Sequence, residues 1–315
     1  MNPLKLWSVS AAKFGYIYSS IKFHKDSRRF IAGLSKCSTT LLSSVLSDVL
    51  LFILNTLRRK DNLSIRSTGI RRFFVVSGYE EVADFCRSWD FSHSVRRSLD
   101  SADFATAYTS TPLDDLKQKV KLVLEEAWTF VSEEKQVPLG RLKVHWTGKK
   151  SCSWSSARKT HHSSSLHTFS LYLLVSLVEF LIDNIYALNG GILRRQTIGI
   201  PMGTNCAPAV FNLYLYYYES TWIDSLINTA QKELAKEFHL TFRLIDDVFA
   251  VDSPDFLTLS SCYPDFLTLE STTLPDKTVN FLGMHLSFSL GGQLCIEVYD
   301  KRKIFLLKLF VILLL

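Results

Sequence analysis

The sequence has 315 residues, of which 47% are hydrophobic and 21% charged, which predicts one large globular domain or two ordinary ones rather than a disordered chain. Its formal net charge of +6 and its pI near 8.9 are compatible with an acidic polymer as partner but are not diagnostic of one. The six cysteines are scattered, with neither a close pair at metal-ligand spacing nor a dense disulfide framework, so they are typical of reduced, intracellular thiols.

No segment of the sequence predicts secretion or a stable membrane association. Met1 to Ser20 is interrupted by Lys5 and Lys13 and has no apolar core followed by a cleavage site. The apolar stretches Leu41 to Leu54 and Ile304 to Leu315 both fall short of the ~20 residues that a spanning helix needs.

The first element along the chain is a basic cluster, Lys22 to Lys25 and Arg28 to Ala32, that leads into an apolar segment. Such a cluster is either a solvated face or a site for an acidic partner. Apolar residues at three- and four-residue spacing predict a helix over Leu41 to Leu57, and a strand over Phe73 to Val76 precedes a helix over Tyr79 to Arg87.

A short strand ending near Asp103 is followed by a long amphipathic helix. Thr111 is the predicted cap, Pro112 suits the first helical turn, and Asp114 and Asp115 suit the positive end of the helix dipole, so these two aspartates are predicted to be structural. The buried face of the helix is predicted to consist of Leu116, Val120, Val123, Leu124, Ala127 and Val131.

The segment Thr147 to Ser165 is rich in serine and basic residues and is predicted to be a loop. His161, His162 and His167 lie in or near it, but no cysteine or carboxylate completes a zinc site.

Leu171 to Tyr186 is predicted to be a helix that stops at Asn189-Gly190-Gly191. The loop Gly199 to Pro208 then opens an apolar helix from Ala209 to about Leu226. Its two glycines allow backbone to approach backbone or a ligand closely, although such loops often only cap a helix.

Two adjacent carboxylates, Asp246 and Asp247, sit between two strand-like runs within Phe242 to Val251, which predicts a hairpin with the pair at its tip. Taken alone, the pair is either a solvated turn or a metal site, since unpaired carboxylates are costly to bury. Asn280 to Phe288 and Leu294 to Tyr299 predict a second hairpin.

These segments form an ordered set that resembles the palm of a reverse transcriptase, and most closely the Penelope-like retroelement enzymes, relatives of telomerase reverse transcriptase. The resemblance runs from about Lys22 to Arg302. It implies an α+β right-hand polymerase core of fingers and palm, with an antiparallel palm sheet and the thumb largely absent. The implied activity is RNA-directed DNA polymerisation, a nucleotidyl transfer from a dNTP to a primer 3′-hydroxyl.

The resemblance implies a catalytic site of Asp103, Asp246 and Asp247. Two Mg²⁺ ions, or Mn²⁺ in their place, are the implied cofactors, held by these aspartates and by the Phe104 carbonyl. Leu244 stands where the family's Tyr-x-Asp-Asp box has its tyrosine.

The implied nucleotide-binding residues include Lys22 and Arg29 in the basic fingers, Tyr108 as a steric gate against a ribose 2′-hydroxyl, and Met202 and Gly203. Met202 stands where many reverse transcriptases have Gln, and Ala207 where they have Ser. The implied template and primer contacts are Gly199, Pro201, Asn205, Pro208, Phe281, Leu282 and Gly283.

By this resemblance, residues 1–100 form an N-terminal and fingers region, 101–302 the palm with a finger insertion at about 131–170, and 303–315 an apolar tail. An RNA template, a DNA primer and dNTPs are the implied partners, and the nucleus is the implied location, with the cytoplasm as the alternative. The missing thumb and GIY-YIG endonuclease leave an alternative function: a catalytically inactive retroelement relic that at most binds RNA or a hybrid duplex.

Overall fold

The structure is a computed structural model that describes residues 14–22, 27–34, 37–88, 98–145, 151–156, 166–200, 203–253 and 256–299, with only the backbone described at 21, 22, 27–29 and 166. In chain order its helices and strands are β1 (Gly15–Lys22), β2 (Ser27–Gly33), α1 (Thr40–Thr68), α2 (Tyr79–Ser88), β3 (Leu99–Phe104), α3 (Ala107–Ser110), α4 (Leu113–Lys135), β4 (Arg141–His145), β5 (Ser151–Ser155), β6 (Leu166–Phe169), α5 (Leu171–Asp183), β7 (Tyr186–Asn189), β8 (Ile192–Arg195), α6 (Ala207–Asn228), α7 (Lys232–Glu237), β9 (Thr241–Leu244), β10 (Asp247–Val251), β11 (Leu269–Ser271), β12 (Val279–Phe281), β13 (Met284–Phe288) and β14 (Leu294–Val298).

The chain divides into two compact units, each assembled from segments that are distant in sequence. The first unit contains the residues up to Tyr18, Ile31–Ser67 and Tyr108–Tyr217. The second contains Ser19–Phe30, Thr68–Ala107 and the residues from Tyr218 on. The assignment of fingers, palm and tail to stretches of the sequence stays a prediction.

Helices α1 and α4 supply much of the core of the first unit. α1 has 29 residues and extends beyond the predicted Leu57, because no glycine or proline interrupts it before Gly69, which has φ +69°. Near this end Arg59 pairs with Glu134 and Lys60 with Glu126 of α4, each at 2.7 Å. In α4, the residues predicted to form the inner face are all buried.

By length and composition, α1 is the one described helix that is long and apolar enough to cross a membrane. The apolar stretch Leu41 to Leu54, predicted to be too short to span a membrane, is only part of this helix. However, 56% of its most apolar stretch is buried inside the protein, as in the core helix of a globular unit.

Three local predictions in the first unit were wrong. Pro112, rather than Thr111, is the N-cap of α4, because its backbone is extended and helical geometry begins at Leu113. α5 ends at Asp183, and Asn189-Gly190-Gly191 forms the turn between β7 and β8, since both glycines adopt positive φ. Part of the predicted loop Thr147 to Ser165 forms β5, which pairs with β4.

The second unit is built on an antiparallel sheet with the strand order β11-β3-β10-β9. The predicted strand Phe73 to Val76 makes only a single parallel bridge, from Val75 to Arg243 on β9. The predicted second hairpin is a three-stranded sheet, β12-β13-β14, because Leu282 and Gly283 form an additional turn with positive φ. One apolar cluster joins α2, the faces of both sheets and Val76, and its largest members are Phe242, Phe249 and Phe281.

Candidate active site

Two aspartates lie opposite each other on adjacent strands of the second unit. β10 pairs antiparallel with β3 in a register that sets Asp247 against Asp103. Residues directly opposite in such a pair share one face of the sheet, with Cβ atoms about 4.5–5.5 Å apart. The structure therefore brings together the strand end and the hairpin that the sequence singled out.

The turn between β9 and β10 differs by one residue from the predicted tip. Leu244 pairs with Asp247, so Ile245 and Asp246 are the two central turn residues and Asp247 begins β10. In this register Phe242 lies opposite Phe249 and their rings stack with centroids 6.1 Å apart, which accounts for the difference. Asp246 is part-exposed and Asp247 is exposed.

The turn contains an unusual backbone conformation. Ile245 has φ +59°, a left-handed value at a turn position where glycine is favoured. Such a conformation in a β-branched residue costs about 1–3 kcal/mol and persists only where the surroundings impose it. Both central carbonyls are held: Arg243 Nη1 donates to the Ile245 carbonyl at 3.0 Å, and the Phe104 amide donates to the Asp246 carbonyl at 3.3 Å.

A buried polar network lies behind this turn. The Arg243 guanidinium donates to both carboxylate oxygens of Glu219, at 2.5 and 3.0 Å, and neither side chain is exposed to solvent. The Tyr263 hydroxyl donates to Glu219 Oε1 at 2.8 Å, and its ring packs edge-on against Phe104 at 4.8 Å. The network thus contacts both aspartate-bearing segments, since Phe104 follows Asp103 and Ile245 precedes Asp246.

Burial, followed by the negative charge of Glu219, raises the pKa of Tyr263 well above its usual value. Its hydroxyl therefore keeps its proton and remains a donor across the pH range of most enzymes. The network consequently stays fully hydrogen-bonded, as a buried charged group requires.

Sequence analysis did not single out Arg243, Glu219 or Tyr263. A signal was present, because a charged residue inside an apolar strand or helix is rarely buried unless it is paired. The identity of the partner could not be derived, since Glu219 and Arg243 come from different elements.

A further carboxylate was also missed. β11 pairs with β3 so that Glu270 lies opposite Asp103 on the side away from Asp247. The row across three strands is therefore Asp247, Asp103 and Glu270. β11 has only three residues and no alternating pattern, so its register had no sequence signal.

The chemistry of this row suits a hard divalent cation. Like charges directly opposite each other destabilise a sheet, and Mg²⁺ is usually held by one or two carboxylates together with substrate phosphates. Across the described parts of the chain, no group of three or more His, Cys, Asp and Glu side chains is close enough to hold a metal ion. Asp247, Asp103 and Glu270 therefore do not form a closed metal site among the described residues.

The predicted primer contacts are in the same unit as the aspartates. Phe281 ends β12, and Leu282 and Gly283 form the turn into β13. The Phe281 ring lies 5.3 Å from that of Phe249 on β10, so this hairpin packs against the aspartate-bearing sheet.

The predicted gate and template residues lie in the first unit. Tyr108 is part-exposed, and its ring lies 4.9 Å from that of Phe211 on α6. Asn205 precedes α6 and Pro208 lies in its first turn. The Cys206 amide donates to Ser43 Oγ at 3.1 Å, which anchors the start of α6 to α1.

Gly199 and Gly203 both permit close backbone approach, as predicted. Gly199 has φ +84° and donates to the Thr111 carbonyl at 2.7 Å, and a Cβ there would overlap the Tyr108 carbonyl. Gly203 has φ +109°, and a Cβ there would overlap the Ala32 carbonyl. Neither position tolerates a side chain without a backbone shift.

Four predicted contacts cannot be located as side chains. Lys22 ends β1 and Arg29 lies within β2, where only the backbone is described. Pro201 and Met202 lie outside the described residues.

Solved telomerase structures have a similar fold. A telomerase from Candida tropicalis in complex with a TWJ fragment of telomeric RNA matches with a TM-score of 0.57 and 14% identity, over 94% of this chain and 46% of that one. A Candida albicans telomerase in complex with the same kind of fragment gives 0.57 and 15%, over 95% and 48%. An apo telomerase from Candida tropicalis gives 0.58 and 14%, over 92% and 49%.

These matches show a reverse-transcriptase-like fold with mixed helices and antiparallel sheets. The expected combination of helices and antiparallel sheets is confirmed. The right-hand arrangement of fingers and palm and the Penelope-like type stay predictions. The chain spans about half the length of the telomerase chains it matches. No family model matches the sequence, and no curated protein matches it by sequence.

Proposed function

We propose that this chain is the RNA-directed DNA polymerase core of a Penelope-like retroelement. The observation that carries the proposal is the register that sets Asp103 opposite Asp247, with Asp246 in the adjoining turn. The similarity of fold to telomerase supports the same class of reaction.

In the proposed reaction, a primer 3′-hydroxyl attacks the α-phosphate of a dNTP. Mg²⁺, when bound, activates this hydroxyl and stabilises the leaving pyrophosphate. Asp103 and Asp246 are the proposed ligands, Asp247 supports them, and the Phe104 carbonyl is a further proposed ligand.

The remaining proposed contacts bind and orient the substrates. Arg29 and Lys22 neutralise the triphosphate, and Tyr108 excludes a ribose 2′-hydroxyl. The hairpin turn Phe281 to Gly283 positions the primer end. By analogy with the RNA-bound telomerase complexes, the proposed template is RNA. Nuclear localisation is part of the proposal, because the resemblance to retroelement enzymes implies it.

One observation favours a second candidate function. Because no three metal-ligating side chains converge among the described residues, the chain could bind RNA or a hybrid duplex without catalysis. This retroelement relic would show salt-sensitive RNA binding that does not depend on Asp246 or Asp247.

Primer extension on an RNA template with Mg²⁺ and dNTPs tests the proposal. The parent chain should extend the primer, and Asp246→Asn/Asp247→Asn should not. The matched control is Asp84→Asn/Asp114→Asn, which changes the net charge equally at two exposed positions. Among the described residues, their ion pairs are with neighbours on their own helices. Extension by Asp246→Asn/Asp247→Asn would contradict the role proposed for these aspartates. No extension by a parent chain shown to be folded would contradict the polymerase.

A further inference from the structure

The three-stranded sheet β5-β4-β6 of the first unit has two chemically different faces. On one face Leu142, Val144 and Phe169 are buried. The Trp154 ring of this face packs edge-on against Trp128 of α4 at 4.5 Å. These contacts fix which side of the sheet points toward the core.

The opposite face is polar and basic. Side chains alternate along a strand, so Arg141, Lys143 and His145 of β4 point away from the buried residues between them. Lys143 lies between Ser153 of β5 and Thr168 of β6. Each basic side chain on this face therefore has serine or threonine hydroxyls as neighbours on the adjacent strands.

The positive charge of this face is not neutralised within the part of the chain that the structure describes. The three strands contain no Asp or Glu, and neither Arg141 nor Lys143 forms an ion pair with a described residue. In the same unit, Arg59, Lys60 and Lys117 each pair with a carboxylate at 2.7–3.0 Å. Arg141 is exposed and Lys143 half-buried on this face, which thus presents positive charge that a polyanion would complement.

We propose that this face binds the phosphate backbone of single-stranded RNA. Lysine and arginine together with serine and threonine hydroxyls are the side chains that contact nucleic-acid phosphates. Two spacings of about 4.8 Å between the three strands, and four steps of about 3.3 Å between five residues, give a surface of roughly 10 by 13 Å. Such a surface suits one polynucleotide strand rather than a duplex. The choice of RNA over other polyanions rests on the proposed function. The charged face itself follows from the strand register and does not depend on that function.

Fluorescence anisotropy with a labelled single-stranded RNA of mixed sequence tests the inference in the full-length chain. The slope of log K against log salt is negative, and loss of two phosphate contacts should reduce its magnitude by about 1.4. We expect Arg141→Gln/Lys143→Gln to show this change and to bind roughly 10- to 30-fold more weakly at 0.1 M salt.

The matched control is Arg59→Gln/Lys121→Gln, which removes the same charge from the same unit at residues that pair with Glu134 and Glu125. Its slope should equal that of the parent, and circular dichroism should show both double variants folded. Equal slopes for the two double variants, no RNA binding by the parent, or equal competition by polyglutamate would each overturn the inference.

The test is independent of catalysis. Anisotropy is measured without Mg²⁺ or dNTPs, so it reports RNA binding alone. A slope change without any primer extension supports the binding face and counts against the polymerase. Primer extension by the parent, with an unchanged slope in Arg141→Gln/Lys143→Gln, supports the polymerase and counts against the binding face.

Discussion

Arg243 and Glu219 form an ion pair in which both side chains are fully buried, and the same guanidinium holds the carbonyl of Ile245. Ile245 has positive φ and immediately precedes Asp246. The pair therefore links the stability of the second unit to the conformation of its aspartate-bearing turn. We infer that this network, rather than intrinsic turn preference, fixes the strained conformation.

Glu219→Gln should destabilise the second unit strongly. The change leaves the Arg243 charge buried without a counter-ion, which typically costs about 3–5 kcal/mol in the free energy of unfolding. Urea denaturation followed by circular dichroism measures this loss. The control is Asp224→Asn, which breaks the more exposed pair with Arg72 and should cost at most about 1 kcal/mol. Equal losses in the two variants would show that the buried pair has no special role.

Gly203→Ala should be more costly than an ordinary substitution of a glycine with positive φ. The new Cβ would overlap the Ala32 carbonyl, a backbone atom that cannot rotate away. We expect a loss of about 2–4 kcal/mol in the free energy of unfolding. Gly190→Ala is the matched control: Gly190 also has positive φ, +58°, but a Cβ there meets nothing within 4 Å, so about 1 kcal/mol is expected. A smaller loss at Gly203 than at Gly190 would contradict the close approach.

The predictable parts of this fold are those with a local signal. The apolar spacing of α1 and α4 is a helix signal, and the runs of β-branched and aromatic residues around Asp246 and Asp247 are a strand signal. Asp103 could be placed at a strand end because β-strand residues precede it and a helix start follows it. These features depend on residues that are neighbours in sequence.

The unpredicted parts depend on partners distant in sequence. β5 consists largely of serines, and it becomes a strand because Trp154 packs against Trp128 and the strand pairs with β4. The position of Glu270 opposite Asp103 is a matter of register, which a three-residue strand cannot specify locally. The sequence Pro-Asp-Phe-Leu-Thr-Leu occurs twice, at residues 254–259 and 264–269, and illustrates the same limit. The first copy runs into a 3₁₀ helix, Phe256–Cys262, whereas the second ends at the first residue of β11.

Stability should fall in mild acid because of His239. Burial lowers the pKa of its imidazole, and the positive charge of Arg71 lowers it further. The unfolded chain, with an imidazole pKa near 6.5, then takes up a proton that the folded chain resists, so the free energy of unfolding falls as the pH drops below about 6.5. Thermal melts from pH 7.5 to 5 should show a smaller acid loss in His239→Gln than in the parent.

His285→Gln is the control for this measurement. The part-exposed His285 imidazole lies 2.9 Å from Asn280 Oδ1. The variant should keep the acid dependence of the parent. If it flattens the dependence as much as His239→Gln does, burial of His239 is not the cause.

Tyr108→Ala should raise the incorporation of ribonucleotides relative to deoxynucleotides, because the proposed gate acts through the volume of its ring. A change of about tenfold or more in the ratio of kcat/KM values is expected for loss of a steric exclusion. Single-nucleotide extension with matched dNTP and rNTP measures the ratio. Tyr108→Phe is the control, since it keeps the ring and its contact with Phe211 and should keep the parent ratio. If Tyr108→Ala lowers the melting temperature but leaves the ratio unchanged, the ring contributes only to packing against α6.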